Sequence, residues 1–288
     1  MRSTLSFKRR GLAATLLAAS CALGLAGLAS NAHAQARKDS AVLGMTLEPT
    51  PGLDPTAGAA SAIAEVVLYN VFETLTKINS DSRTTPLLAD SWKVSDDLKT
   101  WTFKLRPGVT FSNGEPFNAA AVKFSFERSV AKESVNKDKA TFANIERIDT
   151  PDATTVVLNL KNGDADLLFK LGQGTAIIVE PKSVSTNGTA PVGTGPFKLD
   201  NWAKGSAITL ARWDGFRNAK DVKLRRVTVR FVNDPAAQVA ALLSGDVDVF
   251  PRVAAARSLK QFQENKKFQV LIGGSRAKIG RASCRERV

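Results

Sequence analysis

Alternating apolar and polar residues between positions 86 and 128 predict two short antiparallel strands followed by a helix. Trp92 and Val94 alternate with polar neighbours, and residues 100–105, TWTFKL, alternate again, so each stretch presents one apolar face. Asn118 suits the N-cap of a helix, and apolar residues follow it at near-helical spacing. We therefore expect a helix over 119–130 that packs on the strand pair.

Similar patterns continue on both sides of this unit. They predict helices over 61–74, 164–171 and 235–244, a turn over 149–152, and strands over 41–47, 155–160, 197–202, 207–211, 227–232 and 247–250. Asp234 and Pro235 are typical of a helix start, and Gly245 is typical of a helix end. The mixture of strands and helices indicates a mixed α/β (α+β) fold.

The first 34 residues have the pattern of an export signal. A basic start precedes an apolar run rich in Ala and Leu, and residues 32–34, A-H-A, form a cleavage motif. We expect cleavage near Gln35 and export to the periplasm, with an uncleaved membrane anchor as the alternative. The pattern leaves open whether the general secretory route or the twin-arginine route is used.

The opposite end of the chain also differs from the rest. Residues 278–288, KIGRASCRERV, lack periodicity and are strongly basic. They resemble a translated sequencing adapter, and a genuine basic tail is the alternative. We therefore expect the natural protein to continue beyond about Ala277, so that this chain is a fragment. The residues between the two ends suffice for one large or two small domains.

Excluding these ends changes the charge and the available chemistry. The formal net charge is +13, but four positive charges lie in the first 34 residues and a net four lie from Ser275 onward, which leaves about +5. This ordinary charge removes most support for nucleic-acid binding. Both cysteines, Cys21 and Cys284, and the single histidine, His33, also lie in the ends. Thiol, imidazole and His- or Cys-based metal chemistry are thereby excluded, and we expect no catalytic residues, no cofactor and no metal.

Residues 86–128 resemble the signature region of the family 5 extracellular solute-binding proteins of ABC importers. The shared pattern is P-x-LA-x-SW, then T-x-TF-x-LR-x-GV-x-F-x-x-G-x-PF, then A-x-x-V-x-x-S-x-x-R, which ends here at Ser125 and Arg128. A second match covers residues 229–248. In the family, the sequence G-T-G-P-F at 193–197 enters a strand where the first two domains join. It is not a phosphate loop, because Pro196 and a strand follow it.

The resemblance implies a fold like that of the type II periplasmic binding proteins. A discontinuous lobe I would comprise residues 38–77 and 190–257, and a small inserted domain would comprise 78–189. Residues 258–277 would begin a third domain, the opposite wall of the ligand cleft, most of which is missing. We expect the first strand, near 42–46, to share a sheet with strands near Phe231 and Val247, whereas the strand over 100–105 lies in another sheet.

The resemblance also implies a function. Such proteins bind a peptide or similar small solute between hinged lobes and deliver it to the membrane permease of an ABC importer, without catalysis. The expected ligand-binding residues lie in lobe I: Thr46, Leu47, Glu48, Tyr69, Asn70, Val249, Phe250 and Arg252. Glu48 could hold an ammonium group of the ligand, with an ordinary solvated carboxylate as the alternative. Tyr69 could contact the ligand, with packing in the core as the alternative.

Three alternatives remain open. A basic surface at 220–226 could bind an acidic partner, although it also suits a solvated strand edge. The carboxylate pairs Asp164/Asp166 and Asp246/Asp248 have the spacing of one strand face and could suggest a hydrolase. The four tryptophans could stack on a ligand, although core packing is more common. The ligand itself cannot be named, and without the third domain we expect an exposed apolar face at residues 249–251.

Overall fold

The computed structural model describes residues 39–272. The predicted leader (1–34) and the predicted adapter-derived segment (278–288) lie outside the described residues. The strands within this range are β1 (Ser40–Met45), β2 (Thr76–Ile78), β3 (Thr84–Pro86), β4 (Ala89–Val94), β5 (Thr100–Leu105), β6 (Ile145–Asp152), β7 (Thr155–Leu160), β8 (Phe197–Ala203), β9 (Ala207–Arg212) and β10 (Arg226–Phe231). The helices are α1 (Ser61–Val67), α2 (Ala119–Val130), α3 (Lys139–Ala143), α4 (Leu167–Lys170), α5 (Pro235–Ser244) and α6 (Leu259–Gln263). Within 39–272, no helix has the length and apolarity needed to cross a membrane.

The first sheet joins segments that are far apart in sequence. Its strand order is β1-β10-β9-β8, with β1 parallel to β10 and the other neighbours antiparallel. Leu43 lies opposite Val229, which confirms the predicted pairing of the first strand with a late one. The predicted strand over 247–250 is reduced to a single parallel bridge between Leu43 and Val249, where Gly44 N–H donates to Val249 O over 2.8 Å.

The second sheet contains the two strands of the sequence signature. Its order is β4-β5-β7-β6, antiparallel throughout, and β5 is therefore in a different sheet from β1, as predicted. The helix α2 begins where expected, because the Asn118 side chain accepts from Ala121 N–H over 3.1 Å. Phe103 and Phe126 are buried in the core formed by this sheet and α2.

The predicted turn over 149–152 is wrong, because those residues complete strand β6. The polar segment IERIDTPD pairs with β7 through two register irregularities, so its alternation is interrupted. The predicted helix over 164–171 is shorter in the structure, where α4 spans Leu167–Lys170. It follows a turn in which Asp166 N–H donates to the Asp164 side chain.

The predicted helix over 61–74 is also too long, because α1 ends at Val67 and Tyr69 has a φ of 61°. The backbone that follows the helix forms hydrogen bonds with the G-T-G-P-F segment. Gly195 N–H donates to Val71 O and Phe197 N–H donates to Asn70 O, each over 2.9 Å. A Cβ at Gly193 would lie 2.0 Å from Val71 O. Glycine is thus required at 193 because two backbone segments nearly touch.

The segment 176–179 lies between two hydrophobic cores. Ala176 and Ile178 face the core of the second sheet, whereas Ile177 and Val179 face the core around α1 and the first sheet. The hydroxyl of Ser125, on α2, accepts from Val179 N–H over 3.0 Å and donates to a carbonyl of its own helix. The serine of the signature therefore ties α2 to this intervening segment.

Two arginines form ion pairs with buried carboxylates. Arg217 donates from both terminal nitrogens to Glu73, over 2.7 and 2.6 Å, and Arg128 donates to Asp54 over 2.8 Å. The carboxylate side chains are 3% and 4% exposed, respectively. The arginine that ends the signature thus connects α2 to the proline-rich loop that follows β1.

Candidate ligand-binding cavity

A cavity of about 240 Å³ lies at the carboxyl end of β1. It is enclosed by the end of β1 and the residue pair that follows it, by the first turns of α1, and by the chain after the Val249 bridge. Its lining combines apolar side chains with one cation, one carboxylate and hydroxyls: Gly44, Met45, Thr46, Leu47, Ser61, Ala62, Glu65, Pro251 and Arg252. A few polar groups among apolar walls are typical of a small-solute site.

Three of the eight predicted ligand-binding residues line this cavity, namely Thr46, Leu47 and Arg252. The Leu47 side chain is 64% exposed. The Thr46 hydroxyl accepts from the side-chain amide of Gln238 over 3.2 Å. Gln238 is fully buried, and its carbonyl oxygen accepts from Ala254 N–H over 2.9 Å, so one side chain positions both the end of β1 and the segment carrying Arg252.

Val249 and Phe250, two of the predicted ligand-binding residues, do not line the cavity. The Phe250 ring packs on the backbone of Gly44, where an added Cβ would lie 2.1 Å from the ring. The expected exposed apolar face at 249–251 is therefore only partly present, because Val249 is 45% exposed whereas Phe250 is 8% exposed. The absent side chain at Gly44 provides the space that Phe250 fills.

Glu48 is directed away from the cavity. Its carboxylate accepts from the indole N–H of Trp202 over 2.7 Å and from Gly205 N–H over 3.1 Å. The Lys204 ammonium group lies 2.9 Å from the centroid of the Trp202 ring, on its face. In this conformation Glu48 holds the β8–β9 hairpin, and the Trp202 side chain contacts both Glu48 and Lys204.

Tyr69 and Asn70 contact neighbouring backbone and do not line the cavity. The Tyr69 hydroxyl donates to Gly172 O over 2.5 Å and accepts from Ile78 N–H over 2.9 Å. Burial raises the pKa of this phenol above its ordinary value of 10.0, although the hydrogen bond from Ile78 acts in the opposite direction. The Asn70 amide donates to Val66 O over 2.9 Å, which places it at the end of α1.

Six cavity-lining residues were not among the predicted ligand-binding residues, and two of these six, Ser61 and Glu65, have polar side chains. They are four residues apart on α1 and therefore lie on the same side of that helix. The Glu65 carboxylate forms an ion pair with the Arg252 guanidinium. The one available signal was Glu65 itself, the single charged residue in the helix sequence SAIAEVV.

One carboxylate in each pair of the hydrolase alternative has a structural partner. Asp164 pairs with Lys170 over 2.6 Å, and Asp248 accepts from Val42 N–H over 2.7 Å. Among residues 39–272, no group of three or more His, Cys, Asp or Glu side chains is placed to hold a metal ion. Within the basic surface at 220–226, Arg226 pairs with Asp200. Arg226 begins β10, which lies between β1 and β9, so this surface is not on a sheet edge as the alternative interpretation supposed.

The discontinuous fold and the strand-end cavity are those of a solute-binding protein, and comparison with known families agrees. Residues 83–283 match the model of the bacterial extracellular solute-binding proteins, family 5. The chain belongs to this family.

Individual relatives are similar over about half of their own length. The probable D,D-dipeptide-binding periplasmic protein DdpA of Escherichia coli K12 is 32% identical over 250 residues, which are 82% of this chain and 47% of the relative. The binding protein AgaA of A. tumefaciens R10, solved with agropinic acid, is 29% identical with a TM-score of 0.73, over 79% of this chain and 46% of that one. DppA of Helicobacter pylori, solved with the peptide STSA, is 24% identical with a TM-score of 0.71, over 79% and 49%, and supports the fold alone.

Proposed function

We propose that this chain is the solute-receiving half of a periplasmic binding protein that delivers a peptide or similar small solute to the permease of an ABC importer. The observation that carries the proposal is the cavity at the carboxyl end of β1, in a chain of the solute-binding family 5. The relative DdpA, named as a probable D,D-dipeptide-binding protein, supports a peptide-like solute.

The proposed organisation assigns the two sheets to different parts of the molecule. Lobe I comprises residues 38–77 and 190–257 and holds the first sheet with the cavity. The inserted domain comprises residues 78–189 and holds the second sheet. The opposite wall of the cleft follows residue 258 in the complete gene product, and closure of the two walls on the solute generates the form that the permease recognises.

This organisation predicts that one wall is insufficient for binding. Sites for small molecules bury roughly 70–90% of the ligand surface. Two residues that line the cavity at β1 are largely exposed, Leu47 at 64% and the Arg252 side chain at 70%, so the cavity is open to solvent. Residues 35–274 therefore retain only part of the contacts and leave an apolar surface that favours self-association.

The test is isothermal titration calorimetry with a panel of di- to tetrapeptides and metal chelates. We expect the complete gene product to bind at least one member with micromolar or better affinity and to remain monomeric. Residues 35–274 should bind none of them at that level, with circular dichroism as the control for folding. Micromolar binding by residues 35–274 would show that the site is not shared between two walls. Absence of binding by the complete product would contradict the receptor function.

A further inference from the structure

The cavity at the end of β1 contains an ion pair between opposite walls. Arg252 extends from the segment that follows the Val249 bridge, and Glu65 extends from α1. The Arg252 side chain is 70% exposed and the Glu65 side chain is 31% exposed, so both charges remain in contact with solvent. The cavity therefore already contains a carboxylate bound to its cation.

This ion pair differs from the buried pair between Arg217 and Glu73. In the buried pair the side chains are 17% and 3% exposed, and separating them would leave a carboxylate without solvent. An exposed pair contributes little net stabilisation, because water replaces the lost partner of each charge. Arg252 can therefore exchange the Glu65 carboxylate for another carboxylate at small cost.

We propose that Glu65 is an internal competitor for the Arg252 guanidinium, and that the solute recognised here carries a carboxylate that takes its place. This inference rests on the proposed receptor function and specifies one chemical group of the solute. A guanidinium presents a planar fork of N–H donors whose geometry matches a carboxylate, so a solute can accept the hydrogen bonds that Glu65 now accepts. Met45, Leu47 and Pro251 line the remainder of the cavity and supply apolar contact next to that group.

The two members of the pair then have opposite effects on affinity. Glu65→Gln removes the competing charge at nearly constant shape and should tighten binding of a carboxylate about two- to fivefold, the value of an exposed ion pair. Arg252→Gln removes the charged donor and should weaken binding roughly ten- to hundredfold. Neither substitution should change the affinity for the matching amide by more than about twofold.

The first measurement is calorimetry of the complete gene product with di-, tri- and tetra-alanine and their C-terminal amides. Arg226→Gln is the matched control, because Arg226 forms an exposed ion pair with Asp200 and does not line the cavity. Tighter binding of the free acids by Glu65→Gln, with weaker binding by Arg252→Gln and no change in Arg226→Gln, supports the inference. A loss of affinity in Glu65→Gln, or equal effects on acids and amides, overturns it.

A second measurement decides the inference even if alanine peptides do not bind. The Nε–H resonance of Arg252 in the 288-residue chain is followed by NMR during titration with sodium acetate and with acetamide. Glu65→Gln should lower the acetate concentration at half-saturation of Arg252 about two- to fivefold, while Arg226 in the same spectra and the acetamide titration stay unchanged. An unchanged acetate titration at Arg252 would overturn the inference without touching the receptor function.

Discussion

Breaking the buried ion pair between Arg217 and Glu73 should cost more stability than breaking any exposed ion pair among residues 39–272. Glu73 precedes β2, and Arg217 lies in the loop between β9 and β10, so the pair connects segments 144 residues apart. Both terminal nitrogens of the guanidinium donate to the carboxylate, over 2.7 and 2.6 Å, and the guanidinium also lies 4.8 Å from the centroid of the Phe216 ring. Replacing the arginine removes both hydrogen bonds and leaves a buried anion.

The expected loss of stability follows from the small exposed fraction of the Glu73 side chain. The Glu73 side chain is 3% exposed, so water cannot replace the lost donors, and loss of one partner from a buried pair costs about 3–5 kcal/mol. Arg217→Met keeps most of the apolar stem and isolates the charge, so the free energy of unfolding should fall by about that amount. The assay is urea denaturation of the 288-residue chain, followed by circular dichroism at neutral pH.

Two further variants separate the charge effect from packing. Arg226→Met breaks an exposed pair with Asp200 and should cost only about 0–1 kcal/mol. The double variant Glu73→Leu with Arg217→Met replaces the pair with apolar groups and should recover much of the loss, because no buried charge remains. If Arg217→Met cost no more than Arg226→Met, the reasoning from burial would be refuted.

Three other predictions concern single side chains. Ser125→Ala leaves the buried Val179 N–H without its acceptor and should lower the free energy of unfolding by about 1–3 kcal/mol, measured in urea, and full stability in that variant would contradict the role assigned to the hydroxyl. Gly44→Ala places a Cβ 2.1 Å from the Phe250 ring, so the ring must move. It should cost about 1–3 kcal/mol and accelerate hydrogen exchange at 249–252, whereas unchanged exchange would show that the ring does not depend on the glycine. Hydrogen bonds from the hydroxyls of Thr155 and Thr154 lower the pKa of Asp152 to about 2. Because this pKa is depressed in the folded state, its stabilising effect is present above about pH 4 and is lost as the pH falls toward 2, so the stability difference between the wild type and Asp152→Asn should vanish over that interval.

The sequence predicted those elements whose patterns and caps are local. Strand β5 and helix α2 have the predicted bounds, because alternation and the Asn118 cap are visible within a few residues. The end of α1 was not predictable in this way. Val71 and Phe72 are buried and continue the apolar pattern, yet the helix ends at Val67, where the backbone of residues 70 and 71 accepts hydrogen bonds from a segment more than 120 residues later.

The candidate site was predictable in position more than in detail. The resemblance placed Thr46, Leu47 and Arg252 at the ends of neighbouring strands, and those three line the cavity. The side chain of Glu48 points elsewhere because its hydrogen-bond donor, Trp202, is 154 residues away in sequence and adjacent in the first sheet. Glu65 has the appearance of an exposed charge on an amphipathic helix, and only the position of Arg252 opposite it indicates a role in the cavity.

Three arginine–carboxylate pairs show how one chemical motif serves different purposes according to burial. The partners Asp54 and Glu73 are 4% and 3% exposed, so loss of either arginine would leave a buried carboxylate without its counter-charge. Glu65 is 31% exposed and lies in a cavity, so its arginine can exchange partners. Each pair joins an arginine to a carboxylate residue, and the distinction arises only when distant segments determine which carboxylate is covered. In the proposed receptor the two kinds of pair have different roles, because the covered pairs connect distant segments of the fold while the exposed pair remains available to a solute.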